Sequence, residues 1–280
     1  GMTQSAISHQ IRMLEDQLGQ PLFNRLHRNA VLTDAGRDLE ITTRDCFERL
    51  ELGLKRLEQY RKPNQVIVYT RPDFATHWLI PRLPRLKAAH PEIDIWLFSN
   101  EQTFEPVRGE IHLAILPANN DLQGLECRHL FPDLLTPLCA PALAPINSVA
   151  DLLQRPLLHD ERREDWPRWL TAAGSPETAT VRGYNFGDSG ALVAAARQGI
   201  GVALGSLVLA GDDLHAGQLL APLRTAIPAA DWVVAMTAGA LAKPKIQLFL
   251  DWLNQEASLT RADLAPWAQD AAPPHAIREP

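Results

Sequence analysis

Cysteine is scarce in this sequence, and long apolar runs are absent from it. The three cysteines, Cys46, Cys127 and Cys139, have no paired spacing, which excludes a disulfide framework and a cysteine-based metal site. No apolar run is long enough to cross a bilayer, and no basic segment with an apolar core opens the chain. We therefore expect a cytoplasmic protein without membrane contact, and nothing in the sequence predicts a metal or another cofactor.

An excess of positive charge is missing as well. The formal net charge is −6, and the residues up to Lys62 contain ten Lys and Arg against nine Asp and Glu, so the acidic excess lies in the remainder. This balance gives no sign of nucleic-acid binding, although a basic strip on one face can still contact phosphates. At 280 residues, 46% of them hydrophobic, the chain is long enough for two or three compact units.

Signatures of catalysis are missing too. His159 and Asp160, taken together with Ser189, suggest the parts of a hydrolase site. However, no nucleophile-elbow pattern surrounds any serine, and no pair of metal ligands has helical spacing. We therefore do not expect an enzyme.

The first segment has the pattern of a DNA-recognition helix that Thr3 or Ser5 can cap. Its apolar residues recur at helical spacing and form one stripe: Ile7, Ile11, Leu14 and Leu18. The opposite face is polar and free of acids, as the major groove requires. Its candidate base-edge contacts are Gln4, Ser5, Ser8 and His9, and the candidate phosphate contacts are Arg12, Arg25 and Arg28. In an isolated helix the same residues would be ordinary solvated side chains.

A recognition helix cannot bury its apolar stripe alone, and no helix precedes this one. The chain begins at Gly1-Met2, where we expect Gly1 to be a cloning remnant and Met2 the assumed start codon. Two explanations stay open, a misplaced start and a natural truncation, and the well-kept motif favours the first. Either explanation predicts weak or absent DNA binding by this chain.

A hairpin and a long helix are expected next. Gly19 ends the first helix, and the following arginines and turn-forming asparagines predict a wing. From Asp34 to Tyr60 no proline occurs and apolar residues recur at helical spacing, which predicts a helix of about 40 Å. Burial of its apolar stripe in a dimer is favoured over packing within its own domain. Residues 1–33 are thus predicted to form a partial winged helix-turn-helix, and residues 34–62 a linker and dimerisation helix.

Strands and helices alternate from Gln65 onward, which predicts an α/β fold with a mainly parallel, doubly wound sheet. The pattern restarts once, so two lobes are expected within residues 63–256. Lobe 1 would comprise about 65–136 and 228–256, and lobe 2 about 137–227. The proline-rich residues 257–280 are expected to form a disordered tail.

The segments TQSAISHQIRMLEDQLGQPLFNR and LTDAGR closely resemble the LysR-type transcriptional regulators. FATHWLIPRLPRLKAAHPEIDI and DSGALVAAARQGIGVALG are similar to the branch that contains the glycine-cleavage-operon activator. The resemblance extends to about Asn254. It implies a winged helix-turn-helix, of which this chain lacks the first two helices, a linker helix and a two-lobed, periplasmic-binding-protein-like effector domain.

The resemblance maps an effector site onto the cleft between the lobes, where strand ends and helix N-termini converge. The implied contacts are Asp73, Phe74, Thr76, Asn100, Glu101, Thr103 and Leu116 in lobe 1, and Asp160, Asp188 and Ser189 in lobe 2. The carboxylates would make this cleft acidic, which predicts an amine-bearing or zwitterionic effector. The alternative is that the aspartates are helix N-caps, above all Asp188.

The sequence therefore predicts a ligand-responsive LysR-type regulator that binds DNA and a small metabolite and forms a homodimer or homotetramer. Ligand binding would shift the population of lobe arrangements and so change the spacing of the DNA-binding segments. The alternative is a sensor or solute-binding protein that does not bind DNA because its helix-turn-helix is truncated.

Overall fold

Two compact units make up the chain, Gly1–Pro63 and Asn64–Pro280. The computed structural model describes residues 3–26, 29–59, 65–99, 111–160, 164–175, 183–237 and 239–268. Within these residues, two helices and a hairpin belong to the first unit, and two mixed β-sheets with their helices belong to the second.

The N-terminal unit contains the predicted helix, hairpin and long helix. Its elements are α1 (Gln4–Leu18), β1 (Phe23–Leu26), β2 (Asn29–Leu32) and α2 (Asp34–Gln59). The side chain of Thr3 caps α1, and Gly19 ends it in the left-handed conformation with a φ of 65°. Strands β1 and β2 pair antiparallel, as a wing does.

One carboxylate and one glycine fix the turn between α1 and the wing. Oε1 of Glu15 accepts hydrogen bonds from the backbone N–H groups of Leu22 (2.8 Å) and Phe23 (3.0 Å). Gly36, in the first turn of α2, lies against the same turn, because a Cβ there would be 2.2 Å from the carbonyl oxygen of Leu22. Glycine is therefore what lets α2 pack this closely.

The C-terminal unit is built on two sheets of mixed direction. In chain order its strands are β3 (Gln65–Thr70), β4 (Asp94–Ser99), β5 (Leu113–Pro117), β6 (Glu126–Phe131), β7 (Leu134–Leu138), β8 (Leu157–Leu158), β9 (Val202–Ser206), β10 (Ile227–Pro228) and β11 (Trp232–Met236). The first sheet has the order β4-β3-β5-β11-β6, and the second has the order β10-β7-β9-β8.

Strand direction differs from the sequence-based expectation. Strand β3 runs parallel to β4 and β5, but β11 runs antiparallel to β5 and β6. In the second sheet β7 is antiparallel to both β9 and β10, and only β8 and β9 are parallel. The expectation of a mainly parallel sheet is therefore wrong. Strands β7 and β11, which follow the passages of the chain from one sheet to the other, each run antiparallel to both of their neighbours.

The chain passes between the two sheets twice. Residues 132–133, the first crossover, join β6 to β7, and residues 229–231, the second crossover, join β10 to β11. We call the part around the first sheet lobe 1 and the part around the second sheet lobe 2. Because Leu134 pairs with Pro228 in the second sheet, residues 134–136 belong to lobe 2 and not to lobe 1 as expected.

Helices cover both sheets. They are α3 (Pro72–Phe74), a π-helical segment (Ala75–Leu79), a 3-10 turn (Ile80–Arg82), α4 (Leu83–Ala89), α5 (Val149–Leu153), α6 (Asp165–Ala172), α7 (Ser189–Arg197), α8 (Leu207–His215) and α9 (Pro244–Ala268), with further 3-10 turns at Pro141–Leu143 and Ala240–Ala242. The helical stretch from Pro72 to Ala89 changes type along its length, because Pro81 and Pro84 lack the backbone N–H that an unbroken α-helix needs.

Helix α9 is part of the lobe 1 core. Ala257, Thr260 and Leu264 are buried on one of its faces, and Nε1 of Trp78 donates to Oγ1 of Thr260 at 2.9 Å. The expectation of a disordered tail from residue 257 is therefore wrong as far as Ala268. Residues 269–280 lie outside the described part of the chain.

Helix α8 connects the two cores. It directly follows β9 of lobe 2, yet Leu207, Val208 and Leu209 pack in the lobe 1 core. Ala210, one residue further on, packs in a lobe 2 core. The junction of the lobes is therefore formed by the two crossovers and the start of α8.

Candidate functional site

A cavity of about 200 Å³ lies where the two lobes meet. Residues of both lobes and both crossovers line it: Arg71, Asp73, Pro117, Asn119, Asp133, Leu135, Asp160, Gly187, Asp188, Ser189, Leu192, Leu204, Gly205, Ser206, Leu209, Ala229, Ala230 and Trp232. The cavity is smaller than pockets that hold drug-sized molecules. Its size therefore fits a small metabolite.

The lining of this cavity carries a negative charge. It contains the carboxyl groups of Asp73, Asp133, Asp160 and Asp188, and among the described residues Arg71 supplies its only guanidinium. Nη2 of Arg71 donates to Oδ2 of Asp73 at 2.9 Å, so these two charges are paired. The carboxyl groups of the described lining therefore outnumber its guanidinium groups.

The buried side chain of Asp73 is held by donors on two sides. Nε of Arg71 lies 3.2 Å from both of its carboxylate oxygens, and the backbone N–H of Phe74 donates to Oδ1 at 2.7 Å. The charge of Asp73 is therefore paired with that of Arg71, and its oxygens already accept hydrogen bonds within lobe 1.

The N-terminus of α7 faces lobe 1 at the rim of the cavity. Oδ1 of Asp188 accepts from the backbone N–H of Ala191 at 2.7 Å, so Asp188 is the helix N-cap, the alternative considered from the sequence. A Cβ on Gly190 would lie 3.4 Å from Nε2 of His77 and 3.6 Å from Cβ of Asp73. A methyl group at residue 190 would make ordinary contacts with these lobe 1 atoms, so the rim leaves little room for a larger side chain.

Asp133, which the sequence-based reasoning missed, lies in the first crossover and is buried. The Ser206 hydroxyl lies 2.7 Å from both carboxyl oxygens of Asp133, Nε1 of Trp232 donates to Oδ2 at 3.1 Å, and the N–H of Leu134 donates to Oδ1 at 2.8 Å. Burial raises the pKa of Asp133 from 3.8 to about 6, against the lowering effect of these hydrogen bonds. Asp133 is the one acidic residue in the apolar segment from Leu130 to Leu138, and this is the sequence feature that could have identified it.

The structure brings four of the predicted effector residues together. Asp73, Asp160, Asp188 and Ser189 all line the cavity. The sequence-based reasoning missed Arg71, although it stands two residues before Asp73. It also missed the contributions of the crossovers, which have no motif of their own.

Three other predicted effector residues lie away from the cavity lining. Phe74 is buried in the lobe 1 core, where its ring centroid is 4.3 Å from that of Trp232. Leu116 is buried in a separate cluster with Tyr69, and Thr76 is exposed. The remaining predicted residues, Asn100, Glu101 and Thr103, lie outside the described residues.

Helix α1 presents polar side chains to solvent. Ser5, Ser8, His9 and Arg12, four of the predicted DNA contacts, are exposed on it. The side chains of Gln4 and Arg25, and all of Arg28, lie outside the part of the chain that the structure describes. The described side chains are therefore available for contact with a nucleic acid.

Apolar side chains of the N-terminal unit are exposed as well. Ile7, Leu14 and Leu18 of α1 are 48%, 41% and 49% exposed, and Phe47, Leu50 and Leu54 of α2 are 62%, 56% and 56% exposed. A groove of about 640 Å³ is lined by Leu14, Leu22, Phe23, Leu32, Gly36, Leu39, Glu40, Thr43, Arg44 and Phe47. The N-terminal unit therefore leaves apolar side chains of both helices open to solvent.

Among the described residues, no three His, Cys, Asp or Glu side chains are grouped as a metal site would require. None of the helices described there is long and apolar enough to cross a membrane.

Two family models together match most of the sequence. Residues 64–258 match the LysR substrate binding domain. Residues 1–37 match the bacterial regulatory helix-turn-helix protein of the lysR family. The boundary between these matches falls in the region where the structure divides into its two compact units.

Curated relatives cover nearly the whole chain. The glycine cleavage system transcriptional activator of Escherichia coli K12 is 30% identical over 262 residues, which covers 92% of this chain and 86% of the relative. The transcriptional activator AmpR of Pseudomonas aeruginosa is 34% identical over 260 residues, which covers 92% of this chain and 88% of the relative. These relatives are transcriptional regulators and not enzymes.

Solved structures share the same fold. The effector domain of AmpR from Pseudomonas aeruginosa superposes with a TM-score of 0.62 at 31% identity, over 71% of this chain and 98% of that chain. CrgA of Neisseria meningitidis, a LysR-type transcriptional regulator, superposes with a TM-score of 0.56 over 91% of this chain and 90% of that chain, and at 19% identity it supports the fold alone. From both family models, the relatives and the fold, the chain belongs to the LysR family of ligand-responsive, DNA-binding transcriptional regulators.

Proposed function

We propose that this regulator responds to a small amine-bearing or zwitterionic effector that binds in the cavity between its lobes. The carrying observation is the acidic lining of the cavity, where the carboxyl groups of Asp133 and Asp188 accept hydrogen bonds from uncharged donors and Arg71 is paired with Asp73. An ammonium group placed there gains from the nearby negative charges, whereas a dicarboxylate would be repelled. The likeness to the AmpR effector domain supports a ligand role for this part of the chain.

Calorimetric titration of the full chain at neutral pH tests the effector class. The probes are glycinamide, which carries an ammonium group, propionamide, in which a methyl group replaces that ammonium, and succinate, a dicarboxylate. We expect binding of glycinamide and of some amino acids, and no binding of propionamide or succinate. Binding of succinate without binding of any amino compound would contradict the proposal. Asp188→Asn, which removes the charge but can still cap α7, is expected to weaken glycinamide binding several-fold.

For DNA, we propose that Gln4, Ser5, Ser8 and His9 contact base edges and that Arg12, Arg25 and Arg28 contact phosphates. The support is the exposure of the described side chains on α1 and the helix-turn-helix family match. That match also disfavours a sensor that never binds DNA. The exposed apolar stripe of α1 favours a loosely held helix, so we propose weak DNA binding by this chain.

Mobility-shift titration with DNA from upstream of its own gene tests the DNA contacts. Arg12→Ala is expected to weaken binding and to reduce the salt dependence by about one phosphate contact. Gln17→Ala changes an exposed residue on another face of α1 and serves as the control. Equal loss in both variants, or no loss in either, would contradict the assignment of Arg12.

For assembly, we propose that α2 forms a homodimer, or the dimer within a homotetramer, through the face that carries Phe47, Leu50 and Leu54. These residues recur at helical spacing and form one exposed apolar stripe. Burial of this stripe against a second copy would remove a large apolar area from water.

A further inference from the structure

Asp133 holds the second crossover through two separate groups. Its carboxyl group accepts from Nε1 of Trp232, the first residue after that crossover, at 3.1 Å. Its carbonyl oxygen accepts from the backbone N–H of Ala229, the first residue of that crossover, at 3.0 Å. Ser206, whose hydroxyl donates to Asp133, also caps α8 by accepting from the N–H of Leu209 at 3.1 Å. One residue therefore connects both crossovers and the start of α8.

The contacts of this carboxyl group are with hydrogen-bond donors. They are the hydroxyl of Ser206, the indole N–H of Trp232 and the backbone N–H groups of Leu134 and Val208. An ionised carboxylate accepts from all of these groups, whereas a protonated carboxyl carries an O–H that itself needs an acceptor. The ionised form of Asp133 therefore holds the crossovers through more hydrogen bonds. Burial disfavours that form, because it raises the pKa of Asp133 to about 6.

Asp133 also lines the cavity, so it is exposed to the charge of whatever binds there. The charged groups that share this cavity are Arg71 and Asp73 from lobe 1, with Asp160 and Asp188 from lobe 2. His77 lies at the rim beside Gly190, and His129 pairs with Asp231, next to Trp232, at 3.0 Å. A cation among these groups favours the ionised form of a nearby carboxyl group.

We propose that Asp133 is a positioning residue of the effector site: a cationic group in the cavity keeps it ionised, and the ionised carboxylate fastens the two crossovers through Trp232 and Ser206. This inference rests on the proposed amine-bearing effector. It implies that binding of the cation releases a proton near pH 6 and that acidification below that pH weakens binding. The charge of the effector thereby changes the hydrogen bonding at the junction between the lobes.

The indole N–H of Trp232 reports the state of Asp133 without any ligand. In a nitrogen–proton NMR titration of the full chain, we expect its resonance to move with a midpoint near pH 6. Trp232→Phe identifies the resonance, and Asp133→Asn should abolish its movement, whereas His129→Gln should leave the midpoint in place. A resonance that does not move between pH 4.5 and 7.5, or one that still moves in Asp133→Asn, would overturn the proposal.

Glycinamide and propionamide then test the coupling to charge. Glycinamide should shift the Trp232 midpoint to lower pH, and a shift of one pH unit corresponds to about a tenfold difference in affinity between the two forms of Asp133. Propionamide should leave the midpoint unchanged. An equal shift by both probes, or no shift at a glycinamide concentration that calorimetry finds saturating, would overturn the coupling. Absence of glycinamide binding at every pH would instead contradict the proposed effector class, while the ligand-free titration still tests the fastening role of Asp133.

Discussion

The indole Nε1 of Trp78 donates a hydrogen bond to Oγ1 of Thr260 at 2.9 Å, and both side chains are buried in the core of lobe 1. Trp78 belongs to the π-helical segment that carries His77 to the rim of the cavity. Thr260 lies beyond residue 258, where the match to the LysR substrate binding domain ends. The final turns of α9 therefore support an element that borders the candidate effector site.

Substitutions in these turns should destabilise the C-terminal unit. Leu264→Ala removes a buried side chain, and we expect the free energy of unfolding to fall by about 2–5 kcal/mol. Thr260→Val removes the acceptor of the buried Trp78 indole and should cost about 1–3 kcal/mol. Urea unfolding followed by tryptophan fluorescence measures both.

Leu259→Ala provides the control in the same helix. Leu259 is 58% exposed, so its replacement should change the unfolding free energy by no more than about 0.5 kcal/mol. If Leu264→Ala were as mild as Leu259→Ala, the end of α9 would not be part of the core.

Two buried groups should give opposite pH dependences of stability. The pKa of Asp133 is raised to about 6 by burial, so its contribution to stability is present below about pH 4 and is lost as the pH rises through 6. The pKa of His112 is lowered from 6.5 to about 4, first by burial and then by Lys243 and Lys245. Its contribution is present above pH 6.5 and is lost as the pH falls through 4. In the unchanged chain the two slopes oppose each other.

Single substitutions should reveal the two slopes. In Asp133→Asn the slope of His112 remains, so acidification from pH 6.5 to 4 should destabilise this variant more than the parent, by up to about 1.4 kcal/mol per pH unit. His112→Gln should show the opposite change. Unfolding free energies measured across this range give both slopes, and parallel curves for the parent and the two variants would contradict the assignment.

Enlarging residue 190 should keep the lobes apart. The side chain of Gly190→Val would meet His77 and Asp73 at the rim of the cavity, and overpacking of this kind costs about 1–3 kcal/mol. We expect glycinamide affinity, measured by calorimetry, to fall roughly tenfold or more. Gly211→Val is the matched control, because nothing lies within 4 Å of a Cβ added there. Equal affinities for the two variants would show that the rim does not limit binding.

A charge in the apolar stripe of α2 should disrupt the proposed dimer. Phe47→Asp is expected to halve the molar mass measured by light scattering, because burial of an unpaired carboxylate in the interface is unfavourable in free energy. Ile41→Asp is the control, since Ile41 is 64% exposed and lies about a third of a turn away from Phe47 around the helix. An unchanged mass for Phe47→Asp, or an equal change in both variants, would exclude this face as the interface.

Periodicity in the sequence predicted the elements whose stability is local or whose pattern is regular. The stripe of α1, its N-cap Thr3 and its terminating Gly19 are all legible in adjacent residues. The end of α9 was missed because several prolines follow residue 265, and only Pro266 among them falls in the described helix. Helix α9 is held there by tertiary contacts, such as that of Thr260 with Trp78, which composition does not reveal.

The candidate site was predictable in part for a similar reason. Asp160, Asp188 and Ser189 stand at ends of secondary-structure elements, where polar residues are expected to face a cleft. Asp133 acquires its environment from Ser206 and Trp232, which are 73 and 99 residues further along the chain. Such a contact depends on how the crossovers meet, and no spacing in the sequence encodes it.

Gly36 carries a consequence for genetic screens. Every replacement at codon 36 adds a Cβ that would lie 2.2 Å from the carbonyl oxygen of Leu22, so the turn before the wing must shift and such alleles should impair regulation. They would do so without altering a DNA contact or an effector contact. Impaired alleles that cluster at this codon are therefore evidence of backbone packing, and a mutational map of the DNA-reading surface should leave them out.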